Sequence, residues 1–213
     1  YQPPFSEPVI GGGECGSKIF MPAADGRLLV MDTENGESCA RFGGSGEINR
    51  PSAFSSSPVL LTKKLAIVGE AGMIRAFDID TGAQVWNWNS TSVDSPADRP
   101  VASVDEALGI AYVPMHGALI ALDLATGKMR WTFQTVHRDL WDYGVAAQPS
   151  LLDLAVGGAM VPALVQATRQ GELFVLDRRT GKPVLPVAEV PAPHGAAGAG
   201  RSGHGAVREP PGE

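Results

Sequence analysis

The chain has 213 residues, of which 44% are hydrophobic and 19% charged, and it contains 26 Gly and 17 Pro. This length can bury a substantial core, and the many turn residues argue against a helical fold. The net charge of −6, with no basic stripe, argues against nucleic acid as a partner. No apolar run reaches the ~18 residues that a membrane-spanning helix needs. Because the first residue is Tyr1 and not Met, we expect any membrane contact to come from segments outside this chain.

Four segments with one shared pattern recur along the chain, each after a short apolar strand. In each segment a Gly stands six residues before an Asp, and a second Gly stands four residues after that Asp. The steps between the four aspartates are 46, 45 and 54 residues. The strands are Lys18–Ala23, Leu65–Glu70, Ile110–Met115 and Ala163–Thr168, and the repeats are Asp25–Glu37, Ala71–Ala83, His116–Lys128 and Gln170–Lys182.

Each position that the four repeats share has a structural role. The first glycines are expected in tight turns with positive φ, and the apolar strand after each is expected to pack on both faces. The Asp and the second Gly predict a turn in which the carboxylate accepts backbone N–H groups and Gly takes the left-handed conformation. We call this the Asp–Gly turn. Eight residues after the Asp, two repeats carry a Trp and two do not, and we expect the Trp side chains to pack between neighbouring repeats. The positions are, in order, Gly26, Gly72, Gly117 and Gly171; Asp32, Asp78, Asp123 and Asp177; Gly36, Gly82, Gly127 and Gly181; and Ala40, Trp86, Trp131 and Leu185.

A period near 45 residues with this strand content predicts an all-β propeller of about four four-stranded blades over residues 1–193. Four blades more often form half of a larger ring than a complete one, and without the other blades the array would expose unpaired edges at both ends. The sequence is therefore expected to be a fragment of a propeller. Residues 194–213, rich in Gly, Ala and Pro, predict a disordered tail, and His194 and His204 within it are not expected to bind a metal.

Two cysteines flank the first repeat. Cys15 and Cys39 could form a disulfide in an oxidising compartment, or they could be two buried thiols. Two cysteines do not decide between these alternatives.

The connection from Thr135 to Leu154 concentrates polar and aromatic side chains. Such a density is typical of a ligand-facing loop, although the same residues could merely cap turns between blades. The residues are His137, Arg138, Asp139, Trp141, Asp142 and Tyr143.

The sequence HRDLWDYGVAAQPSL, which starts at His137, resembles the H-x-D-L-W-D-x-D-x-x-x-Q-P motif of membrane-bound PQQ-dependent glucose dehydrogenases and their quinate, shikimate and polyol relatives. Val161–Pro191 resembles the segment that follows in that family, and Glu14–Gly43 resembles an early blade. The resemblance covers about residues 11 to 198. It implies an eight-bladed propeller with PQQ and Ca²⁺ on its axis, a sugar or polyol substrate, ubiquinone or another electron acceptor, and a periplasmic, inner-membrane location.

By motif match, the resemblance makes Asp142 the base that takes the hydroxyl proton, and also a metal ligand. Arg169 would pair with the quinone oxygens, although it could equally be a solvent-facing turn residue. Trp141 and His137 would lie on the cofactor side of the loop, Trp141 as a packing anchor and His137, with Asp139, as a hydrogen-bond partner. None of these three is expected to be catalytic.

Three departures from the family reduce the expected activity of the chain. The Trp that forms the floor under PQQ in the family is absent from Asp94–Gly109, where Arg99 lies near its place. The long loop that follows the equivalent of Ile110–Met115, with its metal-binding Asn, is also absent. The later blades are missing. We therefore expect the fragment not to hold PQQ tightly and to be incomplete or inactive alone. The alternative is a non-enzymatic propeller that serves as a protein-binding scaffold, as in outer-membrane assembly lipoproteins.

Overall fold

The computed structural model describes residues 9–13, 15–23, 25–49, 59–70, 72–89, 101–115, 117–137, 143–145, 147–189 and 207–208. Within them the chain forms successive antiparallel sheets, each built from strands that follow one another in sequence. The first sheet contains β1 (Val9–Gly13), β2 (Gly16–Pro22), β3 (Arg27–Asp32) and β4 (Glu47–Asn49); the second, β5 (Leu60–Leu61), β6 (Leu65–Glu70), β7 (Met73–Asp78) and β8 (Gln84–Asn89); the third, β9 (Ser103–Asp105), β10 (Ile110–Met115), β11 (Ala118–Asp123) and β12 (Met129–Gln134); the fourth, β13 (Ser150–Val156), β14 (Ala159–Ala167) and β15 (Leu173–Asp177).

The fourth sheet differs from the other three in its last strand. Pro183 bridges Leu176, and the Val184 amide donates to the Val175 carbonyl at 2.8 Å, where a fourth strand begins in the second and third sheets. The chain then forms the short β16 (Ala188–Glu189), which pairs with β17 (Val207–Arg208). The other residues of the predicted tail, including both of its histidines, lie outside the described residues.

The sheets stack face to face, as the blades of a propeller do. Alternate residues of β10 point to opposite sides. Ile110 and Tyr112 pack with residues of the fourth sheet, whereas Ala111 and Val113 pack with residues of the second. A third apolar layer joins the first and second sheets. The prediction of strands packed on both faces, within an all-β propeller, is confirmed.

The Asp–Gly turns have the predicted geometry. In the second sheet the Asp78 carboxylate accepts the amides of Asp80 and Thr81 at 3.1 and 2.8 Å, and Gly82 has a φ of 72°. The Gly82 amide donates to the Asp78 carbonyl at 2.9 Å. The same turn occurs in the other three sheets, where the second glycines have φ values of 73°, 68° and 70°.

The prediction for the first glycines holds at three positions and is wrong at Gly117. Gly26, Gly72 and Gly171 have φ values of 91°, 67° and 85°, whereas Gly117 lacks a positive φ. A Cβ at Gly117 would lie 2.4 Å from Cγ1 of Val136. Glycine is therefore needed there for close approach of the next connection and not for the backbone conformation.

The tryptophans pack between neighbouring sheets as predicted. Trp86 of the second sheet donates its indole N–H to the Leu124 carbonyl of the third at 2.8 Å, and a Cβ at Gly127 would lie 2.6 Å from the Trp86 ring. Trp131 covers Gly181 of the fourth sheet in the same way. In the first sheet Gly82 is covered by Gly43, Ile48 and the Phe42 ring and not by Ala40, because β4 begins later after its Asp–Gly turn than β8 and β12 do.

The segment that delays β4 contains Cys39, which is disulfide-bonded to Cys15 of the β1–β2 hairpin. Of the two alternatives for the cysteines, the bridge is therefore formed. It fastens the longer turn segment to the β1–β2 hairpin at the same end of its own sheet.

Candidate functional site

The antiparallel order fixes which connections share a side of the array. The hairpin between the second and third strands and the connection to the next sheet lie at one end of each sheet, and the Asp–Gly turn lies at the other. We call the first of these the candidate face, because it carries both residues 135–149, hereafter the candidate loop, and the β14–β15 hairpin with Arg169. The first strands of neighbouring sheets contact each other, β1 with β5 and β9 with β13, which places them at the inner rim.

The entrance of the candidate loop is fixed to the β10–β11 hairpin. The Thr135 amide and hydroxyl both donate to the Gly117 carbonyl, at 2.7 and 3.0 Å, and Thr135 and Val136 are buried. This anchorage depends on the short hairpin, in which Met115 pairs with Ala118. The predicted absence of a long loop after Met115 is confirmed.

The exit of the candidate loop is fixed to β14 and to the hairpin that follows it. The Arg169 amide donates to the Gly144 carbonyl at 3.1 Å. The Gln166 side-chain amide donates to the Ala147 carbonyl at 3.0 Å and to the Ala167 carbonyl at 2.9 Å. The backbone of Arg169 is thereby held against the loop two residues after Asp142.

The loop then joins the inner rim. Gln148 donates to the Ala102 carbonyl at 2.9 Å, and the buried Ser103 hydroxyl donates to the Pro149 carbonyl. These contacts attach the last residues of the motif to the first strand of the preceding sheet. A shallow groove of about 340 Å³ runs along this rim, and its lining includes Gln148, Pro149 and Leu151 from the end of the motif.

The structure describes two of the four residues proposed for the cofactor side. His137 is exposed directly after the buried Val136, and Arg169 is exposed in the β14–β15 hairpin. Trp141 and Asp142 lie outside the described residues, as do Arg99, Arg138 and Asp139. The roles given to these side chains therefore stay predictions.

Sequence reasoning missed Gln166, which is fully buried at the base of the Arg169 hairpin. Its Oε1 and the Oε1 of Gln170 are buried, and neither has a hydrogen-bond donor among the described residues. A buried polar atom left unpaired costs about 1–3 kcal/mol, so two such oxygens on the candidate face mark a place where a donor is wanted. The signal was present in the sequence, because Gln166 interrupts the apolar strand at the core-facing position held by Val68 and Val113 in the preceding sheets.

The described residues partly fit a quinone cofactor and a metal. Arg169 offers an exposed guanidinium, which suits carbonyl and carboxylate oxygens. No group of three His, Cys, Asp or Glu side chains that could hold a metal ion occurs among the residues described. A metal site would thus depend on Asp142 and on groups outside the described part.

A buried ion pair on the opposite face joins the third sheet to the fourth. Arg178 donates to Asp105 at 2.7 Å, and their side chains are 15% and 9% exposed. Burial works against the ionised Asp105, but the Leu108 amide and Arg178 hold its pKa below the usual range. Burial next to Asp105 raises the pKa of Tyr112, whose hydroxyl donates to the Arg178 carbonyl at 2.9 Å. These groups fasten the third sheet to the fourth, far from the candidate loop.

Comparison with known proteins agrees with this architecture. The family described as "PQQ: Glucose/ethanol/alcohol dehydrogenase, beta-propeller domain" matches residues 5–119 and 115–202. The quinoprotein glucose dehydrogenase of Gluconobacter oxydans is 35% identical over 240 residues, which cover 86% of this chain and 30% of that protein. The alignment of 240 positions is longer than the 213 residues of this chain. The relative therefore has insertions within the matched region that this chain lacks.

Two solved structures show the fold alone. A europium-containing methanol dehydrogenase superimposes with a TM-score of 0.67 at 24% identity, covering 84% of this chain and 42% of the other. BamB from Moraxella catarrhalis superimposes with a TM-score of 0.54 at 18% identity, covering 84% of this chain and 67% of BamB. In the part of the chain that the structure describes, no helix is long and apolar enough to cross a bilayer. The chain spans about a third of the length of the curated relatives it matches, and it belongs to the β-propeller family of PQQ-dependent glucose, ethanol and alcohol dehydrogenases.

Proposed function

We propose that this chain is the part of a PQQ-dependent sugar or alcohol dehydrogenase that brings the proton-accepting carboxylate and a cation to the cofactor. The observation that carries the proposal is the bond from the Arg169 amide to the Gly144 carbonyl, since it holds the Arg169 hairpin beside the loop that contains Asp142. The family match and the motif order support the same assignment. The substrate would be a sugar or polyol, the final acceptor ubiquinone or another quinone, and the location periplasmic.

The residues of the chain would divide the work. When bound, PQQ would supply a two-electron acceptor for the hydride of the substrate carbon. The Asp142 carboxylate would take the hydroxyl proton, so that the alcohol leaves as a carbonyl compound, and Asp142 would also be among the groups that hold Ca²⁺. The Arg169 guanidinium stabilises negative charge on the cofactor oxygens. Trp141 and His137 hold the loop, and Gln166 fixes its exit.

The fragment alone is expected to bind PQQ weakly and not to turn over. Binding of PQQ with Ca²⁺ present can be followed by quenching of tryptophan fluorescence. We expect Arg169→Ala to weaken binding roughly tenfold, because one charge-assisted contact is lost. Arg179→Ala removes the same charge from the opposite face and should leave binding unchanged.

The scaffold alternative predicts a different result. If Asp142→Asn and Arg169→Ala both leave PQQ binding unchanged, the candidate loop has only a structural role and the enzymatic proposal fails. Dye reduction with glucose or a polyol by the 213-residue chain alone would overturn the narrower expectation that the fragment is incomplete.

A further inference from the structure

Gln166 is a polar residue at a position that the fold elsewhere fills with apolar side chains. It lies on the side of β14 that faces the third sheet, and Val68 and Val113 hold the equivalent places in the two preceding sheets. All three are at most 1% exposed. The Gln166 Oε1 has no hydrogen-bond donor among the described residues, so this oxygen costs free energy where an apolar group would not. The stacking of the sheets therefore does not require a glutamine here.

The side-chain amide of Gln166 joins two separate segments of the candidate face. Its Nε2 donates to the Ala147 carbonyl of the candidate loop at 3.0 Å and to the Ala167 carbonyl at the end of β14 at 2.9 Å. The Arg169 amide donates to the Gly144 carbonyl of the same loop at 3.1 Å. The exit of the loop and the Arg169 hairpin are thus connected at two points, which lie three residues apart on each segment.

The two connections differ in their exposure to water. Arg169 is exposed, so water competes for its contacts, whereas Gln166 is fully buried. A hydrogen bond that is shielded from water is electrostatically stronger than an exposed one. Ala147 lies before the start of β13 at Ser150, outside the strand ladder. The Gln166 amide is therefore the firmer of the two points at which the hairpin is held to the loop.

We propose that Gln166 is a positioning residue of the cofactor site: its buried amide sets where the Arg169 hairpin lies relative to the candidate loop. Gln166 acts through Arg169 and is not itself a catalytic residue. Its effect on cofactor binding rests on the proposed function, in which Arg169 binds the quinone oxygens. Its effect on the hairpin does not rest on that function, and the two effects are measured separately.

The first test compares Gln166→Met with the wild-type chain of 213 residues, without cofactor. Methionine has a similar unbranched shape but no donor. Hydrogen exchange of the Arg169 amide, followed by NMR, should become roughly tenfold faster, because the hairpin loses its buried link to the loop. The Thr168 amide, which donates to the Glu172 carbonyl at 3.0 Å within the hairpin, should keep its exchange rate. The urea midpoint should stay the same or rise, because the unpaired oxygen is gone.

Gln134→Met is the matched control for this test. The Gln134 side-chain amide also donates to a backbone carbonyl, that of Val136 at 3.1 Å. This contact lies at the entrance of the candidate loop and does not involve the Arg169 hairpin. The control variant should therefore leave the exchange of the Arg169 amide unchanged.

The second test is PQQ binding with Ca²⁺ present, followed by quenching of tryptophan fluorescence. Gln166→Met alone should weaken binding roughly fivefold, because Arg169 is no longer held in place. Combined with Arg169→Ala, it should weaken binding by less than roughly a further twofold, because the group that it positions is already absent.

Three results would overturn the inference. The first is an Arg169 amide whose exchange Gln166→Met leaves unchanged. The second is an equally large increase at Thr168 together with a lower urea midpoint, because Gln166 would then only stabilise the hairpin. The third is a loss of PQQ affinity of the same size with and without Arg169, because Gln166 would then act through another group.

Two further outcomes separate the inference from the proposed function. If Gln166→Met leaves PQQ binding unchanged while Arg169→Ala weakens it, the positioning role fails and the proposed function stands. If the Arg169 amide exchanges faster in Gln166→Met but Arg169→Ala has no effect on PQQ binding, Gln166 does position the hairpin and the proposed role of Arg169 fails.

Discussion

At the scale of single residues, the glycines of this chain do two different jobs, and a matched pair of substitutions separates them. Gly127 and Gly72 have nearly the same φ, 68° and 67°. A Cβ at Gly127 would lie 2.6 Å from the Trp86 ring, whereas a Cβ at Gly72 would meet nothing within 4 Å. Both alanine substitutions place a Cβ on a residue in the left-handed region, which is destabilising. Only Gly127→Ala also brings that Cβ into a clash with the Trp86 ring.

We therefore expect Gly72→Ala to lower the free energy of unfolding by about 1 kcal/mol and Gly127→Ala by about 3 kcal/mol or more. Urea unfolding followed by tryptophan fluorescence measures both. Equal losses would mean that the Trp86 ring moves aside freely, which would contradict its packing role.

Arg178 and Arg179 are neighbours in sequence with different surroundings. Arg178 bonds Asp105 and Asp153 and two backbone carbonyls, with its side chain 15% exposed. Arg179 is 52% exposed and pairs only locally with Asp177. Arg178→Ala leaves a buried carboxylate unpaired and should cost about 3 kcal/mol, whereas Arg179→Ala removes an exposed guanidinium and should cost much less. Thermal unfolding of the two variants checks this, and a larger loss for Arg179→Ala would refute the assignment of Arg178 as the link between sheets.

At the scale of elements, the first sheet has a longer segment between its third and fourth strands, and a disulfide ties that segment to the β1–β2 hairpin. Cys15 and Cys39 are 24 residues apart, and cross-linking a loop of this size stabilises a fold by about 3 kcal/mol. Reduction should lower the free energy of unfolding by that amount in urea titrations. The double variant Cys15→Ser with Cys39→Ser should match the reduced chain and be indifferent to reductant. A reduced chain as stable as the oxidised one would show that the bridge is dispensable.

The sequence predicted the regular elements well because each Asp–Gly turn is a local device. Asp78 and Gly82 need only their own turn, so spacing alone identifies them. The positions that sequence missed depend on distant partners. Phe42 replaces Ala40 because the Cys39 segment lengthens one connection, and Gly117 is required by Val136 from another connection.

The candidate site was predictable only as a motif. The order of residues in the candidate loop indicated the family, but no local rule connects that loop to Arg169 or Gln166. Their contacts with Gly144 and Ala147 arise from the pairing of β13 with β14, which brings the end of the loop beside the end of β14. In the sequence alone, Gln166 is one polar residue in an apolar strand. The structure shows that its side-chain amide bonds the exit of the candidate loop.

At the scale of the whole molecule, the carboxylates of the Asp–Gly turns and of the inter-sheet ion pair tie stability to pH. Arg130 holds the pKa of Asp123 below its ordinary value, Arg179 does so for Asp177, and the Thr81 amide does so for Asp78. The pKa of Asp105 is also lowered. The folded state therefore favours the ionised forms more than the unfolded chain does.

A lowered folded pKa stabilises the protein above the unfolded value and ceases to do so as pH falls through the folded value. Because the unfolded carboxyls titrate near pH 4, the free energy of unfolding should be flat from pH 7 to about 5 and fall steadily below about 4. Asp123→Asn is the control, since the amide oxygen still accepts the turn amides of Ala125 and Thr126 but carries no charge to lose. Its decline in acid should be shallower than that of the wild type in urea titrations at each pH. Stability that rises as pH falls through 4 would require these carboxylates to be strained rather than stabilised in the fold, which their hydrogen bonds contradict.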